Sequence, residues 1–578
     1  MPEIYPLDEI HTELKSQIEQ HYNITVDEHA LKLESSPNPE FGDVGIGCFF
    51  LAKILKKSPA SIAEELAGEK LTLPYVKSLR AVGPYLNVTL DPAPFIEAVY
   101  TSISKQTDRY GYSATRAGKK IMIEYSAPNT NKPQHLGHIR NNVLGMAIAN
   151  ILEAAGYDVV KVNLVNDRGI HICKSMLAYE KWGDGLTPSQ TGKKGDHFVG
   201  DYYIMFEKKA RDDPKLIEEA QTMLQKWEQG DKDVVTLWKR MNTWVYEGFD
   251  ETYKRLGCEF EKVYYESETY QKGRDIVLKG LENGILGKNA SGDIVVDLAE
   301  FDIGEKVLLR KDGTSIYVTQ DLGATVDKFS DYNLDRSIFV VASEQNLHFK
   351  ILFHVLKMLG YEWADKCYHL SYGMVYLPEG KLKSREGIVV DADTLMDELH
   401  TLARKEITSR SREMGTEELE NAAEAVALSA LKYFILKVHP QKDIHFSPEE
   451  SLSFDGATGP FAQYSYARLS SILRKGKNVL SGKPNFALLG NPEENKIAIL
   501  LAQYPGVVSE SAESYNPTRM TSWIFDISRA INKFHHDHSV LNTGDPELTI
   551  ARGTLIRMAR QALGNSLKLI GITPLERM

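Results

Sequence analysis

Ser126, Asn129 and Lys132 lead into His135-Leu136-Gly137-His138, a run of residue types suited to handling phosphate. Two histidines three apart at the start of a helix project from one face. The unbonded N–H groups and the positive dipole end of the helix lie at the same place, which suits a triphosphate. Gly137 between the histidines removes a side chain, so a flat ligand can approach the backbone closely. The imidazoles can donate hydrogen bonds to a phosphoryl oxygen as charge builds in a transition state. Alone, an H-x-x-H pair reads equally well as two surface histidines; the strand before it and Lys132 beside it favour the site.

The elements that must hold this cluster are legible around it. KIMIEYS reads as a short apolar strand and SAPNTNKP as a loop with two prolines. Ile139, Val143, Met146, Ala147, Ile151 and Leu152 recur at helical spacing, Gly156 stops the helix, and DVVKVNLV reads as a second strand. Strand, loop, helix and strand in this order make a βαβ unit of a parallel sheet, whose ligands bind beyond the carboxyl ends of the strands. Residues 170–290 are mostly charged helix, read as an insertion; GDIVVDLAEF, KVLLRKDGTSIYVTQDLG and RSIFVVASEQ bring strands back. From about 420 onward the chain reads as nearly all helix. Residues 1–110 read as a small α+β domain, in which Ser58-Pro59 starts a helix, and 105–120 as a turn-rich linker. The expected division is therefore 1–110, 118–400 and 420–578.

The composition suits a folded multidomain chain: 578 residues, 42% hydrophobic, 25% charged. The net charge of −11 argues against a chain coated in nucleic-acid-binding charge, but ten acids and two lysines fall in residues 1–50 and leave room for basic segments elsewhere. The four cysteines (Cys48, Cys173, Cys258, Cys367) are widely spaced, which supports neither a disulfide scaffold nor a zinc ribbon. The acidic amino terminus is unlike a signal peptide, and no apolar run approaches the roughly 20 residues of a membrane span. A cytoplasmic protein is expected.

The fifteen residues E-Y-S-A-P-N-T-N-K-P-Q-H-L-G-H, from Glu124 to His138, resemble the histidine signature of class I aminoacyl-tRNA synthetases in the form found in arginyl-tRNA synthetases. The resemblance implies a second, basic signature loop, and GKLKSREGIVV (380–390) is similar to a degenerate version of it. There Lys381, Lys383 and Arg385 offset phosphate charge and Ser384 donates a hydrogen bond. Ser384 stands where the family has a lysine, whose charge Lys132 is then implied to supply; which of Lys381, Lys383 and Lys132 reaches the phosphates stays open. A guanidinium has five donors that are costly to bury unpaired, so its pocket needs carboxylates and planar acceptors. Tyr317, Asp321 four residues on and Gln345 a further 24 on match the family's arginine-site spacing. Asp321 and Glu124 are the expected partners of the substrate cation, with Ser126, Asn129, His138, Tyr317 and Gln345 fixing its orientation.

In the helical part, residues 462–477 hold Arg468, Arg474, Lys475 and Lys477 with no acid, behind Tyr464 and Tyr466. Aromatic faces beside phosphate-binding charge suit single-stranded RNA. The segment resembles the family's anticodon-binding region, which implies tRNA contacts at Gln463, Tyr464, Arg468, Arg474, Lys475 and the closing residue Met578. GPYLNVTL likewise resembles the family's D-loop contact, at Tyr85 and Asn87. One departure is NDRGIHICKS (166–175), which differs from the family's usual segment and leaves Asp167 and His171 without an assigned role.

The resemblance thus implies an α/β Rossmann-type class I catalytic domain with a helical insertion, an N-terminal α+β domain and a C-terminal all-α anticodon-binding domain. It implies an arginine–tRNA ligase that uses ATP with Mg²⁺ as substrate, holds no resident metal or cofactor, and acts on L-arginine and tRNA(Arg) as a monomer, with no membrane or DNA partner. A cysteine-specific relative would lack the Tyr317–Asp321–Gln345 spacing and commonly carry zinc-binding cysteines; a catalytically silent RNA-binding relative is opposed by both histidines.

Overall fold

The computed structural model describes residues 5–27, 30–36, 38–377, 390–410 and 414–578. At its centre is a parallel five-stranded sheet of β1 (Lys120–Glu124), β2 (Asp158–Val165), β3 (Lys262–Tyr265), β4 (Arg336–Ala342) and β5 (Cys367–Tyr372), in the order β5-β4-β1-β2-β3. The chain runs from β1 outward to β3, then returns to β4 on the other side of β1. This reversal opens a crevice at the carboxyl ends of β1 and β4. Four of the five residues of β1 are buried, as a strand covered on both faces requires.

The helix Leu136–Ala154 makes the crossover from β1 to β2. It packs so close to the loop after β1 that a Cβ on Gly145 would lie 2.3 Å from Cγ of Tyr125. The helices Glu266–Glu282 and Tyr317–Asp331 cross where Gly273 and Gly323 meet; a Cβ on Gly273 would lie 1.8 Å from the carbonyl oxygen of Thr319. Asp321 is carried on the second of these helices.

In the N-terminal region an antiparallel sheet (order Glu34–Ser35, Val44–Gly47, Tyr85–Leu90, Val76–Val82) packs with helices that include Pro6–Tyr22 and Pro59–Leu66. Ser58 caps Pro59–Leu66 through the N–H of Ser61 at 3.1 Å, as the Ser-Pro pair predicts. Beyond β5 the chain is mainly helical, from Ala392–Arg410 to Pro546–Leu569. Among the described residues no helix is long and apolar enough to cross a membrane.

Two segments differ from the sequence reading. SIYVTQDLG opens the helix Tyr317–Asp331 rather than continuing a strand, while Ile294–Leu298 and Gly304–Leu309 pair in a separate antiparallel sheet. Its β-branched residues favour extended backbone locally, but burial of Val318 and Leu322 decides for helix. The stretch 105–120 is not a free linker. Tyr110 is fully buried and donates to the carbonyl of Leu501 (2.8 Å), and Asn565 donates to the carbonyl of Thr107 (3.0 Å). Apolar contact of its tyrosines with the helical domain outweighs its turn-forming residues.

Candidate functional site

The loop after β1 is held in a shape that few residues adopt unaided. Ser126 (φ +81°) and Ala127 (φ +48°) both lie in the left-handed region. Their partners over-determine it: the N–H of Ser126 donates to Oδ1 of Asn141 (2.6 Å) and the N–H of Ala127 to Oδ1 of Asn163 (3.0 Å). The hydroxyls of Ser126 and Tyr253 lie 2.7 Å apart. Asn129 continues β1 as a single bridge to Asn166.

The two histidines form a reciprocal cap. His135 is the residue before the helix, and its Nδ1 accepts the N–H of Gly137 (3.1 Å), while Nδ1 of His138 accepts the N–H of His135 (3.1 Å). Accepting at Nδ1 fixes both neutral rings with the proton on Nε2. The rings lie 4.0 Å apart, and a Cβ on Gly137 would stand 3.0 Å from Cε1 of His135. Burial, then the charge of Lys132, pulls His135 down to about 4; burial first, then His135 and Lys132, holds His138 well below the usual histidine range. Both rings are therefore neutral at pH 7, and each keeps an Nε2–H to donate.

Beyond β1, β2 and β3 a cavity of about 1010 Å³ is lined by Asn129, Arg168, His171, Glu266, Tyr317 and Gln320, among others. Asp321 lies one helical turn past Tyr317, with Oδ2 2.5 Å from Nε2 of His348. Burial, then the charges of Asp321 and Asp167, pushes Glu266 up to about 8, against the pull of Arg168. The cavity thus mixes charges: acids around Glu266 raise its carboxyl, while Arg168, Arg274 and Arg310 also line the wall, Arg168 lying 2.7 Å from Glu228.

The structure therefore brings Asn129 and Tyr317 to one cavity, with Asp321 within electrostatic reach of Glu266. Glu124 is buried and already ion-paired with Lys328, itself buried; desolvation raises its carboxyl while Lys328 lowers it. Gln345 is exposed in the turn Ser343–Gln345 after β4 and does not line this cavity. Lys132 is exposed beside the histidines. Lys381, Lys383, Ser384 and Arg385 lie outside the described residues. Asp167 is structural: its carboxylate accepts from Ser267 N–H (2.9 Å), Ser267 Oγ (2.7 Å) and Tyr246 (3.1 Å). His171 lines the cavity with Nδ1 3.2 Å from the hydroxyl of Tyr203.

A group with metal-ligand chemistry, Asp196, His197 and Asp393, is already served by a protein cation. Nζ of Lys194 lies 2.6 Å from Asp393 and 3.3 Å from Asp196. Burial opposes the charge of Asp393, yet His197 and Lys194 together draw it down to about 2.

In the helical domain a second cavity, about 980 Å³, is lined by Tyr464, Arg468, Arg474, Lys475, His535 and Met578, among others. Arg468 lies over the ring of Tyr464 (4.8 Å) and donates to its hydroxyl (3.2 Å) and to Asn532 (2.5 Å). Gln463 departs from expectation: it is fully buried, and its amide donates to the carbonyls of Thr573 (2.7 Å) and Ala425 (3.3 Å). It ties down the tail that delivers Met578, because its position on the helix Gly459–Lys475 faces inward. In the N-terminal domain Tyr85 is exposed and packs edge-on against Phe49, but Asn87 is buried under it.

Residues 8–90, 100–447 and 462–578 match, in turn, the families described as arginyl tRNA synthetase N terminal domain, tRNA synthetases class I (R), catalytic domain, and DALR anticodon binding domain. The chain belongs to the arginyl-tRNA synthetases. It is 47% identical to an arginine–tRNA ligase of Treponema denticola over 95% of each chain, and 43% identical to one of Parabacteroides distasonis over 97% of this chain and 98% of that one. The arginyl-tRNA synthetase of Thermus thermophilus superposes with a TM-score of 0.85 at 26% identity, covering 98% of this chain and 99% of that one.

Several residues of this arginyl-tRNA synthetase escape a sequence reading. Glu266 follows directly on β3, so recognising KVYY as a core strand would have placed it at a carboxyl edge. Arg140, Asn141 and Asn142 are three consecutive buried polar residues in the histidine helix. Their types sit oddly in an apolar helix, and that is their signal.

Proposed function

We propose that this arginine–tRNA ligase binds the arginine side chain in the cavity beyond β1–β3, with Asp321 and Glu266 facing the guanidinium and Tyr317 and Asn129 orienting it. The substrate carboxylate is thereby aimed at an ATP held at the amino end of the histidine helix. A carboxylate oxygen attacks the α-phosphorus, an O–P bond forms, the bond to the β-phosphate oxygen breaks, and pyrophosphate leaves. The Nε2–H groups of His135 and His138 donate to the phosphoryl oxygens as negative charge builds on them. A hydroxyl of the terminal ribose of tRNA(Arg) then attacks the arginyl carbonyl, and AMP departs. Mg²⁺ enters with ATP as part of the substrate.

The cavity that joins Glu266 and Tyr317 to Asn129, on the loop that leads into the histidine helix, with Asp321 in electrostatic reach of Glu266, carries this reading. Carboxylates left unpaired by a smaller amino acid supply the discrimination, so no editing step is required. The basic cavity at Arg468, Arg474 and Lys475 is read as the anticodon site. We take the enzyme to work as a monomer in a reducing, cytosolic setting, in keeping with its four free cysteines. Charging a tRNA pool with each amino acid in turn, ATP present, tests the reading: arginine alone is expected to be attached, and attachment of any other overturns the pocket assignment. Light scattering at one chain's mass checks the monomer.

A further inference from the structure

Arg140 lies two residues past His138 on the same helix, with 1% of its surface exposed. Its guanidinium donates to four backbone carbonyls. Two, Gly373 (2.7 Å) and Met374 (2.9 Å), lie just past β5. The others, Pro440 (2.8 Å) and Lys442 (2.6 Å), lie where the chain leaves the helix Thr416–Leu436 of the helical domain. Among the described residues no carboxylate pairs with it. A buried charge held mainly by neutral carbonyls, with the ring of Tyr372 at 5.6 Å and the charge of Asp443 in electrostatic reach, costs desolvation that an apolar side chain of similar length would avoid. What arginine offers instead is a rigid fork of five donors, enough for one side chain to grip two separate segments.

The gripped junction is itself stiff. The N–H of Gly373 donates to the carbonyl of Pro440 (2.9 Å), the N–H of Met374 to Asp443 (2.7 Å), and Val375–Tyr376 pairs in parallel with Ile444–His445. Next to it Asn141 holds the loop and the sheet, donating to the carbonyl of Val340 (2.8 Å) and to Tyr372 (3.1 Å).

We infer that Arg140 is a positioning residue for the reaction: it sets the histidine end of its helix against the junction where the helical domain joins the catalytic sheet. The inference rests on the role given above to His135 and His138. Their placement on the reacting phosphate then depends on a bond network outside the cleft.

Steady-state aminoacylation by the full-length enzyme, with tRNA binding and thermal melting measured beside it, tests this. Arg140→Lys keeps the charge but cannot span both segments; kcat is expected to fall 10- to 100-fold, with KM for arginine and ATP and Kd for tRNA within threefold. Gly373→Ala places a Cβ 2.6 Å from Asp443 Oδ1 and from the Lys442 carbonyl, straining the same junction without touching the helix, and the same split is expected. Tyr433→Phe, which removes a buried hydroxyl donating to Thr521 within the helical domain, controls for lost stability and is expected to keep kcat within twofold. A kcat within threefold of wild type in either junction variant overturns the inference, as does an equal loss in Tyr433→Phe. An undiminished kcat in His138→Ala overturns the reading of the histidines instead, whatever the junction variants do.

Discussion

Glu266 lines the cleft with Asp321 in electrostatic reach, and burial beside other acids, which pushes it up to about 8, leaves it protonated at neutral pH when the cleft is empty. An arriving guanidinium favours the carboxylate and expels that proton. Below pH 8 the affinity for arginine should therefore rise with pH, by up to about tenfold per unit, and level off above it. Calorimetry between pH 6.5 and 9 in two buffers of different ionisation enthalpy reads both the slope and the released proton. Glu266→Gln is expected to flatten the curve, and a flat curve in the wild type would sink the assignment. Asp321→Asn removes charge without volume. Losing one charged partner costs about 2–3 kcal/mol, so KM for arginine should rise on the order of 100-fold with KM for ATP within threefold. The histidines act later in the reaction: His138→Ala should lower kcat by roughly 10²- to 10³-fold while tRNA affinity stays within a few fold. At this scale the residue types were readable. Tyr317, Asp321 and Asn129 stand out by spacing, while Glu266 does not, because what marks it is the company of acids from other elements.

The histidine helix shows how an element presents such residues. Its apolar spacing predicts the helix, but its seating comes from Gly145 against Tyr125 and from the polar run Arg140-Asn141-Asn142. Gly145→Ala must push helix and loop apart, and overpacking of this kind costs about 1–3 kcal/mol. Urea unfolding should show that loss as a lower midpoint with an unchanged slope; an unshifted midpoint would mean that the loop gives way freely. The segment at Tyr317 carries the complementary lesson. Its local preference was for strand, and packing against the preceding helix at the Gly273–Gly323 crossing makes it a helix. Without that helix Asp321 would not follow Tyr317 by one turn on a single face.

Over the whole molecule, a net charge of −11 leaves room for a local basic surface, where we propose that the tRNA is held. Arg468, Arg474 and Lys475 line one cavity of the helical domain, where Arg468 is stacked on Tyr464. Each phosphate contact adds roughly 0.7–0.9 to the dependence of log affinity on log salt. Arg474→Ala with Lys475→Ala should lower the slope for tRNA binding by about 1.4–1.8, measured by filter binding between low and physiological salt. An unchanged slope would place the tRNA elsewhere. The amino-terminal region is joined to the helical domain by Tyr110 and Asn565.

The sequence by itself determined the chemistry on offer: a βαβ start, two histidines at a helix cap and a basic aromatic segment, all of them local patterns, while the arginine-site spacing came from resemblance and Gln345 stands outside the cavity. Tertiary structure decided the rest, because it depends on groups distant in the chain. It buried Gln463 and Asn87, ion-paired Glu124 with Lys328, and brought Glu266 within reach of Asp321. It also closed the fork of Arg140 on carbonyls more than 200 residues away. Burial and long-range hydrogen bonds are set by packing, and packing has no period that a single sequence displays.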